Sequence, residues 1–296
     1  MKQFAYLVYA IGRRTARAIG LAKPIRKYLG PVAGRLVFKV SNDPKKPFSV
    51  GGHQMVLAQE GRYPPLAMVQ DRYEEGTTRL LNKILTPDMT IIDVGAHVGY
   101  YSLQAARQVG SAGRVISFEP EPSNYELLTQ NIELNGYSHV KAINKAVSST
   151  VGTTTLYITA LDNGRNSMYH HGLPESGSVS VETTTLDSFL ESEEWPRVDL
   201  VKIDVEGAEV KVLDGMVRLM TDYPDLKLII ELNPPLFQDK GVPPLVFVER
   251  LVSRGWSVQV IEGGSGLTPL AKEDAQDLID RLLATETSVN LFCTRI

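Results

Sequence analysis

The sequence predicts an α/β fold, a mostly parallel sheet with helices on both faces. Three observations carry this. From residue 89 onward, short β-branched runs alternate with helical stretches. Several of the runs, "LVKIDV" and "LKLIIEL" among them, are near-continuously apolar, as strands covered on both faces must be. The first run ends in "DVGAHVG", a glycine-bearing turn that opens straight into a helical stretch.

The elements follow in order. Residues 1 to about 30 read as a basic helix, broken at Pro24 and closed by Gly30-Pro31. From 31 to about 70, glycine and proline punctuate short β-like pieces, "GRLVFKV" and "HQMVLAQ". Residues 1–70 are thus expected to form a small basic helical/β appendage, and 71–296 the main domain. "DRYEEGTTRLLNKIL" enters that domain as a helix. Strand "MTIIDVG" and helix "YYSLQAARQVG" come next, then strand "RVISFEP" and helix "PSNYELLTQNIELNG", with Pro122 and Ser123 near its start and Gly136 at its end. "VKAINKAVSS" is predicted as a third strand. A Thr/Ser/Gly-rich stretch over about 148–186 breaks the rhythm and reads as a β-hairpin-like insertion with a long loop. The alternation resumes with strand "VDLVKIDVEG", helix "AEVKVLDGMVRLM", strand "LKLIIELNP", helix "PLVFVERLVSRG" and strands "WSVQVIE" and "SVNLFCTRI". Right-handed crossovers then put the strand C-termini on one edge, where such sheets bind ligands.

Composition narrows the function classes. In 296 residues, 43% hydrophobic content is ample for a core. The single cysteine, Cys293, excludes a disulfide framework and any CxxC zinc or redox site, and its apolar strand makes it a buried bystander. The net charge of -3 hides an asymmetry: residues 1–46 carry eleven Lys and Arg against Asp43, which is +10 and leaves -13 for the rest. Such an arm suits an anionic surface, whether a membrane, a charged glycan or the acidic body of the protein itself. The apolar opening "FAYLVYAIG" is far shorter than the about 20 residues a membrane span needs, and Arg13-Arg14 follow it where a signal peptide would carry a small-residue cleavage site. The expectation is a cytoplasmic protein, with membrane-peripheral contact through an interfacial N-terminal helix as its variant. Nucleic acid is not an expected partner, and the sequence leaves the oligomeric state open.

The chemistry begins at "IIDVGAHVGY". Gly95 and Gly99 let the backbone turn sharply and a ligand approach the helix N-terminus. Asp93 repels phosphate and suits an ammonium or hydroxyl-rich ligand instead. The spacing is not G-x-G-x-x-G, and no Tyr-x-x-x-Lys or comparable pair supports a nicotinamide oxidoreductase. Glu119, at the end of the next strand in "SFEP", stands where a nucleotide-binding sheet keeps the acid that accepts from both ribose hydroxyls. Two such acids flanking a glycine turn describe a ligand with a ribose and a cationic end, and S-adenosylmethionine has both.

"IIDVGAHVGYYS", "SFEPEPSNYELLTQNIELN", "NKAVSS", "TTLDSFL" and "VDLVKIDVEGAEVKVLDG" together resemble the FkbM family of S-adenosylmethionine-dependent methyltransferases, over about residues 73–233. The resemblance implies the Rossmann-like class I methyltransferase fold, with seven strands ordered 3-2-1-4-5-7-6 and strand 7 antiparallel. It implies O-methylation of a hydroxyl on a sugar, glycolipid, polysaccharide or polyketide-type acceptor. Carried onto this chain, the loop from Asp93 through Gly95 and His97 to Gly99 holds the methionine part of the cofactor and Glu119 its ribose. Asn144 and Ala146 then face the adenine. His97 stands where the family's commoner form has asparagine, and is read as a loop-shaping cofactor contact rather than a base.

Methyl transfer is an in-line displacement at an activated carbon, so the protein mainly positions the partners and takes a proton. Asp204 in "KIDVEGAE" is the first choice for the site acid. Glu206 and Glu209, three apart, share a face if the helix has already started there. Glu231 and Asn233 in "IIELNP" are acceptor-side candidates. Asn166, His170 and His171 lie in the insertion, while His53 and His139 have no motif around them and are treated as structural or exposed. No His/Asp/Glu group has metal-ligand spacing along the chain, so no metal is expected. The alternatives carried with this reading are N-methylation of a small-molecule or peptide amine and a binding protein that has lost turnover.

Overall fold

The computed structural model describes residues 47–57, 68, 73–159, 164, 166–170, 175–239, 243–264 and 266–295. The basic arm over 1–46 and His171 lie outside these residues. The described chain opens with a hairpin of Phe48–Val50 (β1) and His53–Met55 (β2), followed by helix Glu75–Ile84 (α1). Strands Thr90–Val94 (β3), Arg114–Phe118 (β4) and Val140–Ile143 (β5) alternate with helices Tyr100–Val109 (α2) and Pro122–Leu134 (α3). Ala146–Val147 (β6), Gly152–Thr159 (β7) and Glu175–Thr184 (β8) form a separate small sheet, with β7 and β8 antiparallel. Then come Leu186–Ser192 (α4), Leu200–Ile203 (β9), Glu209–Asp214 (α5), Val217–Asp222 (α6), Lys227–Leu232 (β10), Pro234–Asp239 (α7) and Pro244–Ser253 (α8). The chain closes with Trp256–Ile261 (β11), Leu267–Pro269 (β12), Ala275–Thr285 (α9) and Val289–Arg295 (β13).

Among the described residues the main sheet runs β5-β4-β3-β9-β10-β13-β11-β12. The first five strands are parallel, and β13 runs antiparallel to both of its neighbours. This is the Rossmann-like class I methyltransferase order, with β12 added as an eighth, edge strand. The apolar runs are buried on both sides, as their continuity predicts. Ile91, Val115, Leu200 and Ile229 pack with α1, α2 and α3. Their alternates Ile92, Ile116, Val201 and Ile230 pack with α4 to α9. The chain order reverses at β3, which pairs with β4 on one side and β9 on the other. The crevice outside the strand tips at such a reversal is where α/β sheets bind ligands.

Three expectations need correcting. "VKAINKAVSS" is not one strand: it leaves the main sheet after Ile143 and re-enters β structure at Ala146, beside β8. Asn144 makes the break, its Nδ2 donating to the carbonyls of Glu119 (2.8 Å) and Pro120 (3.1 Å). "AEVKVLDGMVRLM" is two helices, because Gly215 sits against neighbouring backbone; a Cβ there would lie 2.1 Å from the Ser148 carbonyl. The 263–287 stretch, which sequence reasoning passed over, holds β12 and α9.

Among the contacts that bind the hairpin β1–β2 to the body, one amide is wholly buried. Asn131 on α3 accepts from the Val56 amide (2.7 Å) and donates to the carbonyls of Val56 (2.9 Å) and Val98 (2.8 Å). It thereby ties the hairpin's exit to the end of the glycine turn. No helix among the described residues is long and apolar enough to cross a membrane. At Gly215, Gly215→Ala is expected to lower the unfolding free energy by about 1–3 kcal/mol through forced displacement of the 148 backbone. Gly263→Ala, where an added Cβ meets nothing, serves as the comparison. Urea unfolding with unchanged slope and a shifted midpoint for the first alone is the expected result.

Candidate functional site

A cleft opens at the tips of β3, β4 and β9. Gly95, His97, Glu119, Ala146, Asp204 and Glu206, all singled out from the sequence, line it. Asn166 and Met168 from the β7–β8 insertion close one side. The sheet edge and the insertion thus meet at one place.

Gly95 is what lets the tips converge. Its φ of +84° is a left-handed conformation, and a Cβ would stand 1.8 Å from the Asp204 carbonyl, so only glycine lets β3 and β9 end side by side. His97 also takes a left-handed conformation, φ +51°, which histidine and asparagine tolerate better than most residues. Its amide donates to Glu119 Oε2 at 2.8 Å, so the turn after β3 is fastened to the tip of β4.

Glu119 is buried, 5% exposed, and its Oε1 accepts from the Glu121 amide (3.0 Å) and Asn124 Nδ2 (3.5 Å). Burial pushes its carboxyl up to about 7, against the pull of those donors. With three donors on a group that offers about four acceptor positions, capacity remains for a ligand hydroxyl.

Asp204 and Glu206 form the opposite wall. Lys202 Nζ lies 3.1 Å from Asp204 Oδ2 and 4.5 Å above the Tyr101 ring, and the lysine is almost wholly buried. Burial alone would lower the lysine's pKa, but Asp204, Asp93 and Glu74 together hold it well above the usual range. Glu231 on β10 is not among the cleft-lining residues but joins the pair: one carboxylate oxygen from each of Asp204, Glu206 and Glu231 lies within 4.8 Å of the others. Burial, then the charges of Asp204, Glu206 and Glu209, keep a proton on Glu231 well above the usual carboxylate range, with Ser288 giving partial relief.

Not every predicted residue meets the cleft. Asp93 does not line it. Strand alternation turns Asp93 to the α2 side, where Ser102 Oγ donates to its Oδ2 at 2.6 Å. Gly99 caps α2, and Asn144 spends its amide on the backbone of the β4 tip. Glu206 and Glu209 do not share a helix face, because α5 begins only at Glu209 and Glu206 sits in the preceding turn with φ +54°. Glu209 Oε1 instead accepts from the amides of Val205 and Gly207, both 3.2 Å, and so shapes that turn. Asn233 offers its backbone carbonyl to the first turn of α7. His170 stands away from the cleft lining, stacked on Tyr157 and 2.8 Å from Glu175. His53 and His139 are structural: His53 shares a hydrogen bond with the Tyr137 hydroxyl, and His139 donates to the Ala106 carbonyl.

Sequence reasoning missed Lys202 and Tyr73. The lysine had a signal, since a cation in an otherwise apolar central strand, two residues before Asp204, must share that residue's face and find acids there. Tyr73 had none. Its ring packs edge-on against Tyr100, and its phenol is raised by burial and then by the charges of Glu74, Asp204, Glu231 and Glu206. The expectation of no metal rested on spacing along the chain, whereas the fold brings residues 204, 206 and 231 together from two strand tips.

The buried Glu119 carries a pH signature. Its folded value of about 7 exceeds the ordinary 4.5, so the folded chain keeps a proton that the unfolded chain releases as pH rises between them, and stability falls over that window. Glu119→Gln is expected to stabilise the cofactor-free protein at pH 8 by up to about 3 kcal/mol and to do little at pH 4.5. Equal effects at both pH values in thermal melts contradict this assignment.

A family model for the methyltransferase FkbM domain matches residues 93–261, more than half of the chain. The methyltransferase sdnD of Sordaria araneosa is 33% identical over 186 residues, which cover 53% of this chain and 69% of sdnD. The hexuronic acid methyltransferase AglP of Haloferax volcanii is 29% identical over 150 residues, 50% of this chain and 59% of AglP. The matched part thus spans less than two thirds of the latter. Among solved structures, a precorrin-6y C5,15-methyltransferase from Geobacter metallireducens aligns with a TM-score of 0.42 at 11% identity, covering 81% of this chain and 92% of that one. An S-adenosylmethionine-dependent methyltransferase from Aquifex aeolicus gives 0.42 at 16%, covering 76% and 93%. The family model runs from Asp93 at the tip of β3 to the end of β11, through every cleft-lining residue named above, and the chain therefore belongs to the FkbM methyltransferase domain family of S-adenosylmethionine-dependent enzymes.

Proposed function

We propose that this chain methylates a hydroxyl oxygen on a sugar, polysaccharide or polyketide-type acceptor. One observation carries the reading: a single cleft joins a ribose-type acid, Glu119, to an acidic wall of Asp204 and Glu206 across the Gly95 turn. The hexuronic acid substrate in the name of AglP supports the sugar arm of the proposal.

S-adenosylmethionine supplies a methyl group on a positively charged sulfur. In the transfer, an acceptor oxygen lone pair forms the C–O bond while the C–S bond breaks and its electron pair stays on sulfur, leaving a neutral thioether. The acceptor's proton has to leave, and Asp204 is the base assigned to it. Lys202, 3.1 Å from Asp204 Oδ2, holds that carboxylate in place through a charge-assisted bond. Glu231, which does not line the cleft, is not assigned the proton. Glu119 binds and orients the ribose from the far wall, and Ala146 leaves room for a flat ring beside the β6 backbone. The acid-lined wall also favours a cationic sulfur over the neutral thioether left after transfer, which eases exchange of product for fresh cofactor.

Glu119→Ala is expected to weaken S-adenosylmethionine binding at least about tenfold, near 1.4 kcal/mol, read by calorimetric titration. Unchanged affinity removes the ribose assignment. Asp204→Asn is expected to lower kcat more than cofactor affinity, assayed by label transfer to uronate-bearing oligosaccharides and, in a parallel arm, to macrolide hydroxyls. Equal losses in turnover and affinity make Asp204 a binding residue instead.

A further inference from the structure

We propose that Asp204, Glu206 and Glu231 hold a divalent cation of the Mg²⁺ or Mn²⁺ kind on the acceptor side of the cleft, backed by Glu209, and that this ion takes up the acceptor hydroxyl together with a neighbouring oxygen. The acceptor part rests on the methyltransferase reading; the ion site does not.

Geometry comes first. One oxygen from each of the three carboxylates lies within 4.8 Å of the others. Two oxygens on opposite sides of one ion are separated by about 4.2 Å for Mg²⁺ and about 5 Å for Ca²⁺, so the three need little or no movement to share one. All are hard oxygen donors, the chemistry such ions select.

A second, independent observation points into the same place. Glu209 is fully buried, its Oε1 is occupied by the amides on either side of Glu206, and its Oε2 has no hydrogen-bond partner. A carboxylate pinned to both amides flanking a ligand residue lies directly against that ligand's turn. Glu231 Oε2 is likewise buried without a partner. Orphaned carboxylate oxygens in a protein interior cost free energy unless a cation or donor reaches them. The described ion pair of Lys202 is with Asp204. A bound cation removes the cost of the unpartnered oxygens.

The chemistry then follows from coordination number. Three protein oxygens leave about three positions on a six-coordinate ion, enough for a bidentate acceptor and a water. An ion beside Asp204 polarises the acceptor O–H, lowering the cost of moving its proton to the carboxylate. The acceptor class is thereby narrowed to a hydroxyl with an adjacent oxygen, as in a vicinal diol or a hydroxy acid.

The test uses the full-length chain, stripped with chelator and titrated with Mn²⁺ while free ion is read by electron paramagnetic resonance. Saturable binding of one ion per chain at micromolar to sub-millimolar concentration is expected, and Glu206→Gln and Glu231→Gln are each expected to weaken it at least about tenfold. Circular dichroism melts establish that each variant is folded, and Glu206, in a partly exposed turn, carries the test if Glu231→Gln does not fold. Absence of saturable binding through millimolar Mn²⁺, or wild-type affinity in the folded variants, overturns the site. Adding glucuronate is expected to reduce the water-proton relaxation of bound Mn²⁺ by displacing its waters; no change overturns the chelation. S-adenosylmethionine binding is measured separately, so failure of the methyltransferase reading and failure of the ion site give different results.

Discussion

One buried ammonium organises the strand tips. Lys202 is a cation in a strand whose neighbours are all apolar, and it has three acids to answer: Asp93 on β3, Asp204 beyond its own strand and Glu74 at the start of α1. Glu74 in turn accepts from the Tyr101 hydroxyl at 2.6 Å and from Asn290 on β13 at 2.7 Å. Five elements therefore meet around one charge. Removing one member of such a group leaves the others buried and uncompensated, which costs far more than the group adds in net stability. The arrangement is better understood as a device for position than for stability.

The two walls of the cleft solve the problem of a buried carboxylate differently. Glu119 is satisfied by backbone and amide donors, and its cost is chiefly desolvation, with the charge of Glu121 adding to it. The opposite side is crowded by like charge, with Asp204 held by the Lys202 ammonium and one oxygen each of Glu209 and Glu231 buried without a hydrogen bond. Donor-rich surroundings suit a neutral, hydroxyl-bearing ligand, and charge-crowded surroundings suit a cation. A ligand with a ribose at one end and positive charge at the other matches that gradient along the sheet edge.

Much of this was legible in the sequence because its signals are local. The β-branched runs, the glycine turn and the acids at the strand ends follow from period and position, and they place Gly95, Glu119 and Asp204 on one edge. What escaped was set by contacts between distant segments. Asp93 reads as a site acid until strand parity turns it onto α2. "VKAINKAVSS" reads as a strand until Asn144 spends its amide on the neighbouring tip. Glu206 and Glu209 are separated by where α5 starts, which depends on the left-handed turn at Glu206 and Gly207 rather than on helix propensity. The convergence of Glu231 on Asp204 and the approach of Tyr73 depend on pairing across the sheet and have no spacing signature.

Besides lining the cleft, the insertion is anchored to the catalytic turn where Ser167 Oγ donates to the Glu206 carbonyl at 2.7 Å, beside a β-bridge between Tyr157 and Ser167. That anchor sits on the backbone, not on the Glu206 side chain. The insertion thus grips the turn that carries Glu206 through the main chain, while its own Asn166 and Met168 face the cleft. Such a division lets one catalytic frame be carried to new acceptors by drift in a short stretch, with the cofactor half of the molecule left under separate selection.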